Sequence, residues 1–170
     1  MTSRVTPAQT IGPFFHRALC RPGDERLVEA GSAGALELSG RISDGAGASV
    51  ADALVELWCT DGQASAFGRA PTDAAGEFRF TVRKPDAIPG PGESVQAPHL
   101  SVSVFARGLL HRLVTRIYFP DEAAANARDP LLGSIEPARR ALLVAHPAGA
   151  GALRFEIVLQ GPGETPFLDV

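Results

Sequence analysis

Lysine is nearly absent from this 170-residue chain: Lys84 stands alone, and every other basic side chain apart from histidine is arginine. Tyrosine, tryptophan and methionine occur once each, and cysteine twice. A formal net charge of -3 excludes the generally basic surface of a nucleic-acid binder. Cys20 and Cys59 lie far apart without metal-type spacing, which predicts two free thiols in a cytoplasmic chain. None of the four histidines, His16, His99, His111 and His146, has a second His at i+2 or i+4. No Gly-rich phosphate loop, nucleophile elbow or metalloprotease motif is present. No basic segment followed by an apolar run opens the chain, and no apolar stretch reaches membrane-spanning length. These absences predict a soluble protein with neither nucleic acid nor membrane as partner.

What is present is globular. Apolar residues make up 45% and charged residues 21%, and a chain of this length buries roughly 70% of its unfolded surface. A single domain over residues 1–170 is the expectation.

The stretch from Pro98 to Phe119 organises the rest. Side chains alternate faces along a strand, so Leu100, Val102, Val104 and Ala106 share one wholly apolar face. His99, Ser101, Ser103, Phe105 and Arg107 share the other. Leu113, Thr115, Ile117 and Phe119 alternate in the same way against Arg112, Val114, Arg116 and Tyr118. The two runs predict paired strands near the middle of a sheet, joined by a turn whose Gly108 can take positive φ.

Elsewhere, Leu36–Ile42, Ala53–Trp58 and Glu77–Arg83 read as strands, separated by turns at Asp44–Gly47 and Asp61-Gly62 and by a short loop. Four prolines and two glycines make Pro85–Pro98 an irregular loop. Asp121–Arg128 reads as a short helix capped by Asp121 and broken by Pro130. Leu142–Ala145 and Ala152–Leu159 are two further strands across a Pro147–Gly151 turn. Seven or eight short strands, one brief helix and no repeat predict an all-β fold, a β-sandwich with a short helix and an irregular N-terminal arm. The arm, residues 1–26, is stiffened by Pro7, Gly12 and Pro13 and carries Phe14, Phe15 and His16. It packs either on its own domain or on another chain.

From the residues alone, His99 is a hydrogen-bonded structural residue or a metal ligand. Arg107 is the partner of an internal carboxylate or the receptor of an external one, since its planar fork suits either. Tyr118, inside a strand, has packing as its default role.

Taken in order, several short stretches resemble the intradiol ring-cleavage dioxygenases. They are Thr6–Phe14, Leu54–Trp58, Phe67-Gly68-Arg69, Ala97-Pro98-His99, Phe105–Gly108, Thr115–Phe119 and Gly161–Thr165. The resemblance implies ring opening of a catechol with O2 and non-haem Fe(III), protocatechuate becoming 3-carboxy-cis,cis-muconate. In that family, two tyrosines and two histidines hold the iron. Here His99 matches the first histidine, but Ser101 occupies the place of the second, Ile88 that of one tyrosine, and the loop after Trp58 holds no tyrosine. A lone neutral His cannot hold Fe(III), which prefers hard phenolate oxygens. The resemblance therefore implies a chain with no metal of its own and a vestigial His99, whose Fe(III) is held by a homologous catalytic beta chain. It places Arg107, Thr10, Gly12, Pro13 and Phe14 at the small aromatic substrate in that partner's site, within a higher hetero-oligomer. A β-sandwich binding or scaffold module without a catalytic partner is the alternative.

Overall fold

The computed structural model describes residues 8–12, 18–60 and 64–169. Two four-stranded sheets face each other. The first runs β4 (Glu77–Arg83), β1 (Ala35–Ser43), β10 (Ala152–Val158), β9 (His146–Gly149). The second runs β3 (Ser65–Pro71), β2 (Leu54–Thr60), β7 (His99–Phe105), β8 (Leu113–Tyr118). A two-residue hairpin, β5 (Ile88–Pro89) with β6 (Val95–Gln96), stands apart. Neighbouring strands are antiparallel, except that β1 and β10 run parallel, with Ser39 opposite Arg154.

The alternation read in the sequence is what closes the sandwich. Leu38, Ile42, Phe78, Phe80, Val82, Phe155 and Ile157 of the first sheet meet Val55, Leu57, Leu100, Val102, Val104 and Ile117 of the second in one buried core. Each such side chain contributes about 1.5–3 kcal/mol relative to an exposed position. Gly40 makes room within the first sheet for its two neighbours in register: a Cβ there would stand 2.2 Å from the Phe155 carbonyl oxygen and 2.3 Å from the Phe78 ring. No non-clashing side chain fits.

Several expectations need correction. The loop after residue 60 leads into a full strand, β3, held to β2 from Leu54↔Pro71 to Thr60↔Ser65. Part of the proline-rich loop pairs as β5–β6. Leu142–Ala145 is no strand, because Ala141–Leu143 forms a 3-10 turn and Val144 only bridges Tyr118. Its leucine Leu143 is buried against Tyr118, Leu132 and Ala97 in a small second core, which explains the apolar run without a sheet. The neighbouring strand is β9, formed by residues read as a turn. Asp121 lies inside a 3-10 turn, Pro120–Glu122, and caps nothing; α1 (Ala123–Asn126) follows. Pro130 opens a helix rather than ending one: α2 (Pro130–Ser134) starts on it, with Asp129 as the N-cap, and α3 (Pro137–Arg140) follows. Proline suits this first position because its missing N–H would be unpaired there anyway. Neither Cys20 nor Cys59 forms a disulfide. Among the described residues, no helix is long and apolar enough to cross a membrane.

Candidate functional site

Two groups of residues singled out in the sequence occupy opposite ends of β7. At its start, His99 is buried, and its Nδ1 lies 2.7 Å from the Ala97 carbonyl oxygen. A carbonyl only accepts, so Nδ1 carries the proton and Nε2 keeps the lone pair. Burial pushes the His99 pKa below its ordinary 6.5, with Arg116 adding to the shift, so the ring is neutral. Its neighbour across the ladder is Tyr118, ring centroids 5.7 Å apart. Desolvation raises the Tyr118 phenol well above its usual value. The phenol donates to Asp129 Oδ1 at 3.0 Å.

Asp129 is the residue the sequence reading missed. It is 1% exposed and accepts four hydrogen bonds. Besides Tyr118, Oδ1 takes the amides of Leu131 and Leu132 at 2.9 and 3.0 Å, and Oδ2 takes the Ala97 amide at 2.8 Å. One carboxylate thus ties the end of β8, the approach to β7 and the start of α2. The signal was in plain view: Asp directly before Pro is a helix-start pattern.

Chemically, this end of the sheet does not suit Fe(III). His99 offers one neutral nitrogen, Ser101 opposite Arg116 takes the second histidine's place, and Ile88 sits in β5. The one tyrosine is a neutral donor committed to Asp129. Among the described residues, no three His, Cys, Asp or Glu converge. With phenolates absent, nothing here matches a hard trivalent ion.

At the other end, β7 stops at Phe105, so Arg107 lies in the following turn rather than on a strand face. Gly108 beside it has φ +89°, as its place in the turn requires. The Arg107 guanidinium donates through Nε to the Asp52 carboxylate, and its side chain remains 65% exposed. The arm arrives at the same point. The Gly108 amide donates to Thr10 Oγ1 at 2.7 Å, and a cleft of about 240 Å³ forms between Gln9 and Ile11 on one side and Phe105, Leu109 and Leu110 on the other. Gln9, Thr10 and Ile11 thus reach the turn that follows β7. Thr10 thereby becomes a neighbour of the turn that carries Arg107, although 98 positions separate it from Gly108. Gly12 is exposed, with open space where a Cβ would stand. Pro13 and Phe14 lie outside the described residues.

Between the two ends, the outer face of the second sheet bears an exposed aromatic pair. The Trp58 and Phe67 ring centroids lie 4.5 Å apart with the rings tilted 46°, and the Arg69 guanidinium lies 5.0 Å over the Phe67 ring while pairing with Glu56 at 2.8 Å.

Comparison with known proteins gives this geometry a family. A scan against protein-family profiles finds no match. The chain is 38% identical to a protocatechuate 3,4-dioxygenase alpha chain of Pseudomonas putida, covering 96% of both. It is 36% identical to the alpha chain from Burkholderia cepacia, covering 99% of both. The Burkholderia cepacia beta chain is 34% identical, with 95% of this chain and 78% of that relative aligned. Among solved structures, the dioxygenase domain of a carbohydrate-binding fusion protein from Streptomyces sp. SirexAA-E superposes with a TM-score of 0.58 at 25% identity, covering 92% of this chain and 99% of that one. Catechol 1,2-dioxygenase from Pseudomonas arvilla C-1 shares the fold, with a TM-score of 0.57 at 20% identity over 80% of this chain and 55% of that one. The chain belongs to the intradiol dioxygenases, in the family of protocatechuate 3,4-dioxygenase alpha chains.

Proposed function

We propose that this chain is the iron-free alpha subunit of a two-chain protocatechuate 3,4-dioxygenase and works by completing the active site of a homologous beta chain. The Fe(III) that activates the ring for attack by O2 is held by that partner. This chain supplies binding and shape. Arg107 offers a cation to the substrate carboxylate, Thr10 and Gly12 of the arm line the substrate beside it, and Pro13 and Phe14 are the arm's further candidates for substrate contact. The observation that carries this reading is the Thr10–Gly108 hydrogen bond, which sets arm and cation side by side on one turn. The fit is chemical: charge from Arg107, a hydroxyl from Thr10, and backbone at Gly12 that a planar ring can approach closely.

The opposite end of β7 supports the same division of labour. A neutral His99, a serine at position 101 and a tyrosine already bonded to a buried carboxylate leave no donor set for the metal. The reading extends to a higher hetero-oligomer in the cytoplasm, whose mass the co-purified complex would give. The test is co-production with a beta chain that carries both tyrosines and both histidines. The complex should contain iron and cleave protocatechuate, while this chain alone should be colourless and lack stoichiometric iron. A tyrosinate-to-Fe(III) absorption band in the lone chain would sink the proposal.

A further inference from the structure

A cleft of about 560 Å³ opens at the end of the sandwich where β4 leaves the first sheet. Its size is that of a small-molecule site. Its floor is apolar, with Leu36, Leu153 and the buried Phe119, and Pro120 and Pro147 stand at the sides. The space exists because three wall positions, Gly34, Gly149 and Gly151, carry no side chain, and all three have positive φ. Larger residues would be strained there as well as obstructive.

Two cations line this cleft, and they differ. Lys84 is consumed: its Nζ lies 2.6 Å from both Asp121 and Glu122. Arg83 has no carboxylate partner among the described residues. Its side chain does not extend freely into solvent. It lies across Gly34, with Cγ and Nε 3.8 Å from where a Cβ would stand. The cleft therefore joins an apolar floor to one uncommitted guanidinium at its edge. Asp121 also lines it, with its charge taken up by Lys84, whose hydrogen bond holds the Asp121 pKa low.

We infer that this cleft binds a small aromatic monocarboxylate, its ring against Leu36, Phe119 and Leu153 and its carboxylate on Arg83. A planar fork meets a carboxylate bidentately, and a flat apolar body matches a slot with glycine walls. The site lies in a different part of the fold from Arg107, and no residue is shared between them.

Benzoate is the probe, titrated calorimetrically into the full chain co-purified with its beta chain. Benzoate can also enter the partner's aromatic site, so the reading is the difference between wild type and Arg83→Gln. Arg83 is exposed, and this variant keeps the fold. Arg83→Gln should weaken one class of benzoate sites about ten- to a hundredfold, with the other class unchanged. Benzyl alcohol, which has no charge, should bind wild type and Arg83→Gln alike. Ala152→Phe, filling the cleft, should abolish that class for both probes. Identical benzoate isotherms for wild type and Arg83→Gln would overturn the inference. So would benzoate binding to the lone chain that vanishes in the complex, since the cleft would then be an interface. If no complex forms, the proposed pairing fails, and the same titrations on the full chain alone still decide the cleft.

Discussion

Arg107 separates a substrate-binding residue from a structural one by arithmetic. Its guanidinium pairs with Asp52, but the arginine side chain is 65% exposed and the aspartate 25%. An ion pair this wet contributes at most about 1 kcal/mol to folding. Arg107→Ala should therefore cost the sandwich no more than that in urea unfolding. Loss of a charged hydrogen bond to a substrate carboxylate costs about 1.5–3 kcal/mol, roughly ten- to a hundredfold in kcat/KM. The loss should appear chiefly as a raised KM for protocatechuate. Catechol lacks the carboxylate, so its turnover should change far less. Asp52→Asn completes the comparison: it releases the guanidinium without removing it, and should not raise KM for protocatechuate. The assay is steady-state kinetics of the alpha–beta complex on both substrates, with complex integrity checked by size-exclusion chromatography. Equal losses on protocatechuate and catechol, or a dissociated complex, would refute the binding role and leave Arg107 as half of a surface ion pair.

Asp129→Ala removes a helix cap worth about 1 kcal/mol and strands the buried Ala97 amide and Tyr118 hydroxyl, at about 1–3 kcal/mol each. A total of about 3–7 kcal/mol should appear as a lower urea midpoint followed by Trp58 fluorescence; a loss under about 1 kcal/mol would contradict the four-bond assignment. For His99, burial lowers the folded pKa below 6.5, so the unfolded chain takes up the proton first. Its contribution to stability is complete above that pH and falls away as pH drops through the folded value. His99→Gln should flatten that part of the stability–pH curve relative to wild type, and parallel curves would assign the slope to other groups.

Period-two alternation made the two-sheet core legible, because a strand with Leu100, Val102 and Val104 on one side has a single stable use. What it could not give was pairing partners. β3 carries small residues, Ala66, Gly68 and Ala70, and is a strand through its ladder to β2 rather than through its own pattern. The Leu142–Ala145 run failed for the opposite reason: its apolarity serves the helical side core, and burial alone does not specify a strand. Arg107 was legible as a cation near Gly108, yet its partner Asp52 and its neighbour Thr10 lie 55 and 97 positions away. Only the folded turn brings them together. Asp129 was legible in principle, in the Asp-Pro pair, and was hidden by treating proline only as a helix breaker.

The parallel pairing of β1 with β10 also governs when this molecule can exist as a folded object. The Ser39 hydroxyl donates to the Leu153 carbonyl oxygen across 114 positions of chain, and until β10 arrives β1 has β4 on one side and an open edge on the other. Pairings this distant in sequence make folding slow, and the waiting edge is a template for unwanted strands. On the ribosome, the first sheet stays incomplete until β10 has emerged. A truncation that removes only β10 should leave an aggregating chain rather than a smaller sandwich, because the edge of β1 would never be covered.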